Sequence, residues 1–380
     1  MKSYIYFILF ILIGMTNQTH AEQHQTGEST YFRHLAFRET PFSTYRGIYP
    51  ITQQQARSTA HYRFDHDDQG RVTAVSHRIG EHIIHNNGNW DTFIWFAPKV
   101  TIEYGDQQEI HRYHNRVNER ITVHGDVYQA IYQLNDQGQR VSLTFTNESQ
   151  QPSENTWHIN RYTWQHLNDH QLLEKRFNLA GEQQPIRPEF VFHETRMTFD
   201  RRGFIHKLEN LGLNGQPTNN DSGAGIDRIY FDLHGNFQRW QVFDKDHKPV
   251  EGNRPGVHVG EHLYDASGNK IGLRGFDLKG DPKGFAWGDF MIRNAYDSFG
   301  NQTINESLDD QHQLKRRLTI TYAANGLKRE WIKHHNQSGD LSSTPMLGGA
   351  AALRYEYANG GVISTGTTPF DAQMKPIDQG

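Results

Sequence analysis

Tyr264-Asp265-Ala266-Ser267-Gly268-Asn269 and, 32 residues on, Tyr296-Asp297-Ser298-Phe299-Gly300-Asn301 are two copies of one turn. Asp suits the first position of a type I turn, where its carboxylate accepts a backbone N–H. Gly suits the fourth, where φ is often positive. The same turn stands at Asp200-Arg201-Arg202-Gly203 and at Asp232-Leu233-His234-Gly235-Asn236, so the glycines step by 32, 33 and 32 residues. A fixed step of this kind is an internal repeat in which each unit packs chiefly on its neighbours.

A second series keeps the same beat. Pro152, Pro185, Pro217, Pro249, Pro282, Leu314, Leu341 and Pro376 each end another turn, with differences of 33, 32, 32, 33, 32, 27 and 35 residues. Between the turns apolar and polar residues alternate, as at Val141, Leu143 and Phe145 or Leu318, Ile320 and Tyr322. Period two means strands with one buried and one wet face. Each unit is therefore two strands and an irregular return, such as Thr218 to Gly225 or Glu251 to Gly260. A propeller blade needs four strands and roughly 40 residues, and the patterns of helical and leucine-rich repeats are absent. The expected fold is all-β: an elongated antiparallel array of about eight two-stranded units of 32–33 residues, curled or twisted. A short helix is expected near residues 52–58, where Thr52-Gln53-Gln54-Gln55 reads as a capping box.

Lys2, the apolar run from Tyr4 to Ile13 and the ending Thr19-His20-Ala21 read as a secretory signal over residues 1–21. The expected organisation continues with a divergent β cap over 22–125, the repeats over 126–376 and a tail at 377–380. Within the cap, Tyr62-Arg63-Phe64-Asp65 with Gly70 reads as a longer version of the turn. The apolar run is too short for a membrane span, and no other segment of the sequence is a candidate for one. With no cysteine in an exported chain, the expected location is a bacterial periplasm or exterior. A formal net charge of −4 gives no reason to propose nucleic acid or an anionic membrane as partner.

The Tyr-Asp-x-x-Gly units at Tyr264 to Asn269 and Tyr296 to Asn301 resemble the YD repeats of the rearrangement-hotspot (RHS) proteins. The likeness covers roughly 130 to 376, without a toxin region. It implies a β-sheet that spirals into a shell or presents a non-enzymatic binding surface outside the cytoplasm. This chain departs from that pattern in its longer period and its added second turn.

No residue pattern points to catalysis. There is no Gly-x-Ser-x-Gly elbow and no cysteine nucleophile. His82/His85 and His111/His114 are each three apart, which in a strand sends the two rings to opposite faces, so neither is expected to bind a metal. Asp200, Asp232, Asp265 and Asp297, with Gly203, Gly235, Gly268 and Gly300, are expected to be structural turn residues. No cofactor is implied. Trp287, in Phe285-Ala286-Trp287-Gly288 on a return loop, is the best candidate for an exposed contact. The functional expectation is an exported β-repeat binding or scaffold protein with a protein or carbohydrate ligand. The competing expectations are an envelope enzyme acting on polysaccharide or cell wall with its site in 22–125, and a periplasmic inhibitor or immunity partner.

Overall fold

A computed structural model describes residues 27–84, 97–187 and 190–378. The leader expected over 1–21 lies outside them. The described residues form one open sheet of 24 strands, running from Thr30–Leu35 to Ser364–Phe370, with every pairing antiparallel. From Ala60–His66 onward the strands join in chain order, apart from the two-residue strands His82–Ile83 and Pro282–Lys283, which hook on beside their neighbours. Thr30–Leu35 is inserted between Gly47–Pro50 and Ala60–His66. The array of repeated hairpins read from the spacing is this sheet. Among the described residues helix is confined to one capped turn, Gln53–Ala56, with Thr52 and Gln55 as reciprocal capping partners, and a 3-10 turn at Pro345–Leu347.

The geometry of one hairpin explains its sequence. Asp265 Oδ1 accepts the N–H groups of Ser267 and Asn269, both at 2.9 Å, while Gly268 sits at φ +79° and the register shifts between Leu263 and Tyr264. This is a type I turn followed by a residue in the left-handed region that forms a bulge, which suits the right-handed twist of the flanking strands. Asp232 and Asp297 each accept the corresponding pair at 2.9 Å, and Asp200 does so at 2.9 and 3.0 Å. In the N-terminal part of the sheet the turn aspartate is Asp67, which accepts from the backbone N–H groups of Gln69 and Arg71. Asp65 instead stays in its strand, bonded to Arg63 and Ser29. The longer spacing to Gly70 thus hid an ordinary turn two residues further on.

Neighbouring units are clasped at both ends. At the first turns, the Tyr264 hydroxyl donates to the carbonyl of Phe237 at 2.8 Å, Tyr296 to Lys270 at 2.9 Å and Tyr357 to Arg329 at 2.8 Å. Each reaches the residue that opens the second strand of the preceding hairpin, so the tyrosine of the Tyr-Asp pair is an inter-unit hydrogen bond. At the second turns, return-loop side chains accept backbone N–H groups of the following turn: Glu154 from Leu179 at 2.8 Å, Asn219 from Lys245 at 2.6 Å and Glu251 from Leu278 at 3.1 Å.

One face of the sheet carries the main core: Tyr62, Val75, Val100, Tyr113, Tyr132, Leu143, Tyr162, Leu172, Met197, Leu208 and Ile229. The sheet curls around the loop from Ala36 to Arg46, whose base is closed by a bond from Ala36 N–H to Arg46 O at 2.8 Å. Phe42 packs on Trp164 and Phe199, Phe37 lies 4.4 Å from Phe237, and Arg140 donates to the carbonyls of Pro41, Phe42 and Ser43 at 3.0–3.3 Å. The Thr40 hydroxyl donates to Glu174, which also accepts from Trp164 Nε1 at 2.8 Å and from Arg176 at 2.6 and 2.9 Å. Glu174 and Arg176 are fully buried, so each charge depends on the other.

The N-terminal strands also cover the row of first turns. Tyr49 accepts from Asn236 at 2.7 Å, Arg33 donates to Asn269 at 3.2 Å, and Ala60 N–H bonds Phe299 O. The asparagines that follow the glycines are therefore buried bridging groups. At the far end, Ser364–Phe370 is an edge strand, and Pro369 removes one donor from that edge.

Candidate functional site

A cleft with a volume of about 350 Å³ opens where the curled sheet, the inserted loop and three return loops meet. Its floor follows from strand pairing. Leu208 faces Asp227, Ile229 faces Trp240, Trp240 faces Gly260 and His262 faces Leu273. Directly paired residues share a face, as do residues two apart, so Leu208, Asn210, Asp227, Ile229, Trp240, His262 and Leu273 point the same way. Gly260 matters by its size: a Cβ there would lie 2.0 Å from the Trp240 ring. With only hydrogen at that position, the indole lies across the neighbouring strand and becomes part of the floor.

The walls come from irregular segments. Phe37 and Glu39 belong to the inserted loop, Arg187 and Phe190 to the return after Gln171–Phe177, Asn253 and Pro255 to the next return but one, and Trp287 to the one after that. Ala286 N–H bonds Pro255 O at 2.9 Å, which fixes the last two returns against each other. Trp287 stacks on buried Phe285 at 4.5 Å with the rings within 5° of parallel, yet it is 44% exposed. One indole face is thus supported by protein, and the side chain still reaches solvent at the cleft.

Three charged side chains stand among these aromatics. Arg187 Nη2 donates to Glu39 Oε1 at 3.1 Å, and Asn253 Nδ2 donates to Asp227 Oδ1 at 2.9 Å, with Asn220 in turn donating to Asn253 at 2.9 Å. Removal from bulk water pushes the Asp227 carboxyl up to about 7, the Glu39 charge pushes it the same way, and the Asn253 amide and Arg187 oppose them. Glu39 is also raised, by burial first and against the pull of Arg187. His262 Nδ1–H donates to Phe237 O at 2.9 Å, and burial holds its pKa down to about 3, so it is neutral. Both carboxyls of the cleft are therefore held above their ordinary values by burial, and Arg187 pairs with one of them, Glu39.

Of the residues singled out by sequence, Trp287 is brought to this cleft. Asp200, Asp232, Asp265 and Asp297 sit with their glycines in turns and hold backbone N–H groups. His111 is buried and His114 half-exposed, while His85, Trp90 and Trp95 lie outside the described residues. Trp164 is buried in the core and Trp331 packs on Phe370. Glu39, Arg187, Asp227 and Asn253 were not singled out. The signal for Asp227 was available: it lies two residues before the inward Ile229 on a strand, which places a carboxylate on the apolar face. Glu39 lies in a loop with no periodicity, and only the curl of the sheet brings it near Asp227.

Among the described residues no group of three His, Asp or Glu side chains is placed to hold a metal ion, and no helix is long and apolar enough to cross a membrane. No protein-family model and no curated protein matches the chain. Among solved structures, a TcdB2-TccC3-TEV crystal structure is similar over 83% of this chain and 20% of its own, at 10% identity and a TM-score of 0.25. A TcdB2-TccC3 crystal structure is similar at 11% identity and a TM-score of 0.23, over 82% of this chain and 21% of its own. This chain thus spans about one fifth of the length of those two. A porin-like protein from Bacteroides uniformis is similar over 82% of this chain and 95% of its own, at 10% identity and a TM-score of 0.23. Likeness at this level carries no functional argument.

Proposed function

We propose that this chain is an exported, non-enzymatic β-repeat binding protein of the bacterial envelope, built from units like those of YD-repeat proteins, and that its ligand occupies the cleft between Glu39, Asp227 and Trp287. The observation that carries the reading is Trp287: an indole 44% exposed, supported on one face by Phe285, at a concave site lined by Phe37, Phe190 and Trp240. Binding sites are concave, mostly apolar and supplied with a few convergent polar groups. An aromatic residue held rigid by its neighbour loses little entropy when a ligand covers it. The test is capture from envelope extract on the immobilised mature chain and on its Trp287→Ala and Asp227→Leu variants. The expected result is a ligand retained by the wild type and lost by both variants. Retention indifferent to both substitutions contradicts the cleft as the site.

One observation favours a second reading. A carboxyl pushed up to about 7 beside a second carboxylate suits general acid and base work at neutral pH. On this reading the chain is an envelope hydrolase of polysaccharide, with Glu39 from the N-terminal region and Asp227 from the repeats. Formation of new reducing ends from cell-wall or storage polysaccharide, abolished in Asp227→Asn, is the outcome that selects it over binding alone.

A further inference from the structure

We infer that the pocket between Arg78, Lys99 and Arg116 binds a phosphate oxyanion, free or at the head of an ester, where the last unit meets the N-terminal strands. This pocket shares no lining residue with the cleft, so the inference stands apart from the proposed function.

Strand register brings the cations together. Tyr62, Phe64, Val75 and Val100 belong to the main core. Side chains alternate between faces along a strand, so Arg63, Ser76, Arg78 and Lys99 stand on the opposite face. Arg63 is paired directly with Ser76, and Ser76 with Lys99, which makes a row across three strands with a cation at each end. Arg78 lies two residues beyond Ser76, and its Nε donates to the Ser76 hydroxyl at 2.7 Å. Arg116 approaches from the loop after Gln108–His114. Its Nε donates to Ile83 O at 3.0 Å and its Nη2 to Val362 O at 3.1 Å, which ties the last unit to the N-terminal strands across 246 positions of sequence. The pocket so formed has a volume of about 340 Å³.

Positive charge is in excess there. Among the described residues lining the pocket, Arg78, Lys99 and Arg116 are cations and Glu81 is the one carboxylate. Burial pushes the Arg78 guanidinium and the Lys99 ammonium below their ordinary values, and a neighbouring cation pushes each the same way: Arg63 acts on Arg78, and Arg78 on Lys99. Glu81 lies 3.6 Å from both Arg63 and Arg78 but is 83% exposed, so solvent screens its hold on them. The whole chain has a formal net charge of −4, so this excess of cations is local and runs against the composition. Cations crowded in this way are relieved of mutual repulsion by taking up an anion.

The available donors suit an oxyanion with several acceptors. Arg78 uses Nε on Ser76 and Nη1 on Glu81 O at 3.0 Å, while Lys99 uses one of its three N–H bonds on Asn118 at 2.7 Å. Arg78 Nη2 and the other Lys99 donors are left for a ligand. A guanidinium and an ammonium on one pocket match the several oxygens and the multiple charge of phosphate. Ile83, Val117, Val362 and Ile363 form an apolar rim, with Val117 and Ile363 exposed, and this rim admits the organic part of an ester.

The test is thermal unfolding and calorimetry of the protein with sodium phosphate, sodium pyrophosphate and dihexanoyl phosphatidic acid, each compared with sodium chloride at the same ionic strength. At least one should bind saturably and raise the melting temperature by about 2 °C or more when the site is full. Binding of phosphate or pyrophosphate assigns a free anion, and binding of the lipid alone assigns a headgroup. Lys99→Gln should weaken the binding by about tenfold or more, Lys99→Arg should restore most of it, and Glu81→Gln should tighten it, with folding of each variant checked by circular dichroism. No saturable binding of any of the three, or equal binding by wild type, Lys99→Gln and Glu81→Gln, overturns the inference.

Discussion

The hydroxyl of Tyr296 donates to the carbonyl of Lys270 at 2.9 Å, joining the start of one turn to the end of the turn one unit before it. The phenol is withdrawn from water there, and burial pushes its pKa up to about 12, so it remains a donor across the ordinary pH range. Tyr264 repeats the contact at Phe237, which gives the Tyr-Asp pair two separable jobs: the aspartate folds its own turn and the tyrosine fastens the neighbour.

Tyr296→Phe should therefore cost about 1 kcal/mol of unfolding free energy, the usual net worth of one such bond with the ring's packing kept. Urea denaturation checks it. An unchanged midpoint would mean that water replaces the hydroxyl at no cost.

Gly260 has no left-handed backbone to excuse it, so its requirement is steric. Gly260→Ala should displace the Trp240 indole, now 2.0 Å from the position of the new methyl, and destabilise the fold by about 1–3 kcal/mol. Near-ultraviolet circular dichroism should change with it. An unaltered tryptophan signature would show that the indole does not lie across that strand.

Glu174→Ala should be among the most damaging single changes. It leaves the fully buried Arg176 guanidinium without its carboxylate and removes the acceptor of Thr40 and Trp164 Nε1. Breaking a buried pair from one side costs about 3–5 kcal/mol. Because Thr40 ties the inserted loop to the sheet, limited proteolysis should also cut the loop from Ala36 to Arg46 more readily in this variant.

Asp227 gives a pH dependence with a defined sign. Its native carboxyl keeps a proton up to about 7, whereas an ordinary aspartate releases it near 3.8. Between those values the folded state binds more protons than the unfolded state, so this group's contribution to stability falls as pH rises from about 4 to about 7 and is flat above. Asp227→Asn does not titrate. Its stability relative to wild type should rise through that window by on the order of 1–2 kcal/mol, allowing for partial hydration of the cleft. Paired denaturation curves at several pH values check it, and a constant difference between the two proteins would contradict it.

The sheet was legible because its turns obey local rules. Asp265 and Gly268 meet the demands of one turn type wherever they occur, and alternation at Val141, Leu143 and Phe145 marks the faces without reference to anything distant. The insertion of Thr30–Leu35 between two later strands was not legible, since nothing local records which edge a strand joins. The cleft was half legible. Trp287 stood out as an aromatic residue on a return loop, but Glu39 and Asp227 are 188 positions apart in sequence and meet only through the curl. Curl is the sum of small rotations per unit, set by twist and packing, and no single residue type reports it.

The claim on which the rest depends is that successive units lie side by side, and it can be tested with one cross-link. Ser142 and Thr163 are directly paired across a unit boundary, beside buried Leu143 and Tyr162, and the chain has no cysteine of its own. Paired positions in an antiparallel sheet stand about 4.5–5.5 Å apart at Cα, within the reach of a disulfide. Under mild oxidation, Ser142→Cys with Thr163→Cys should form an intramolecular disulfide in high yield, while Ser142→Cys with Lys207→Cys, four strands away, should stay reduced. Failure of the first pair to close, or equal closure of both, would contradict the stacked array.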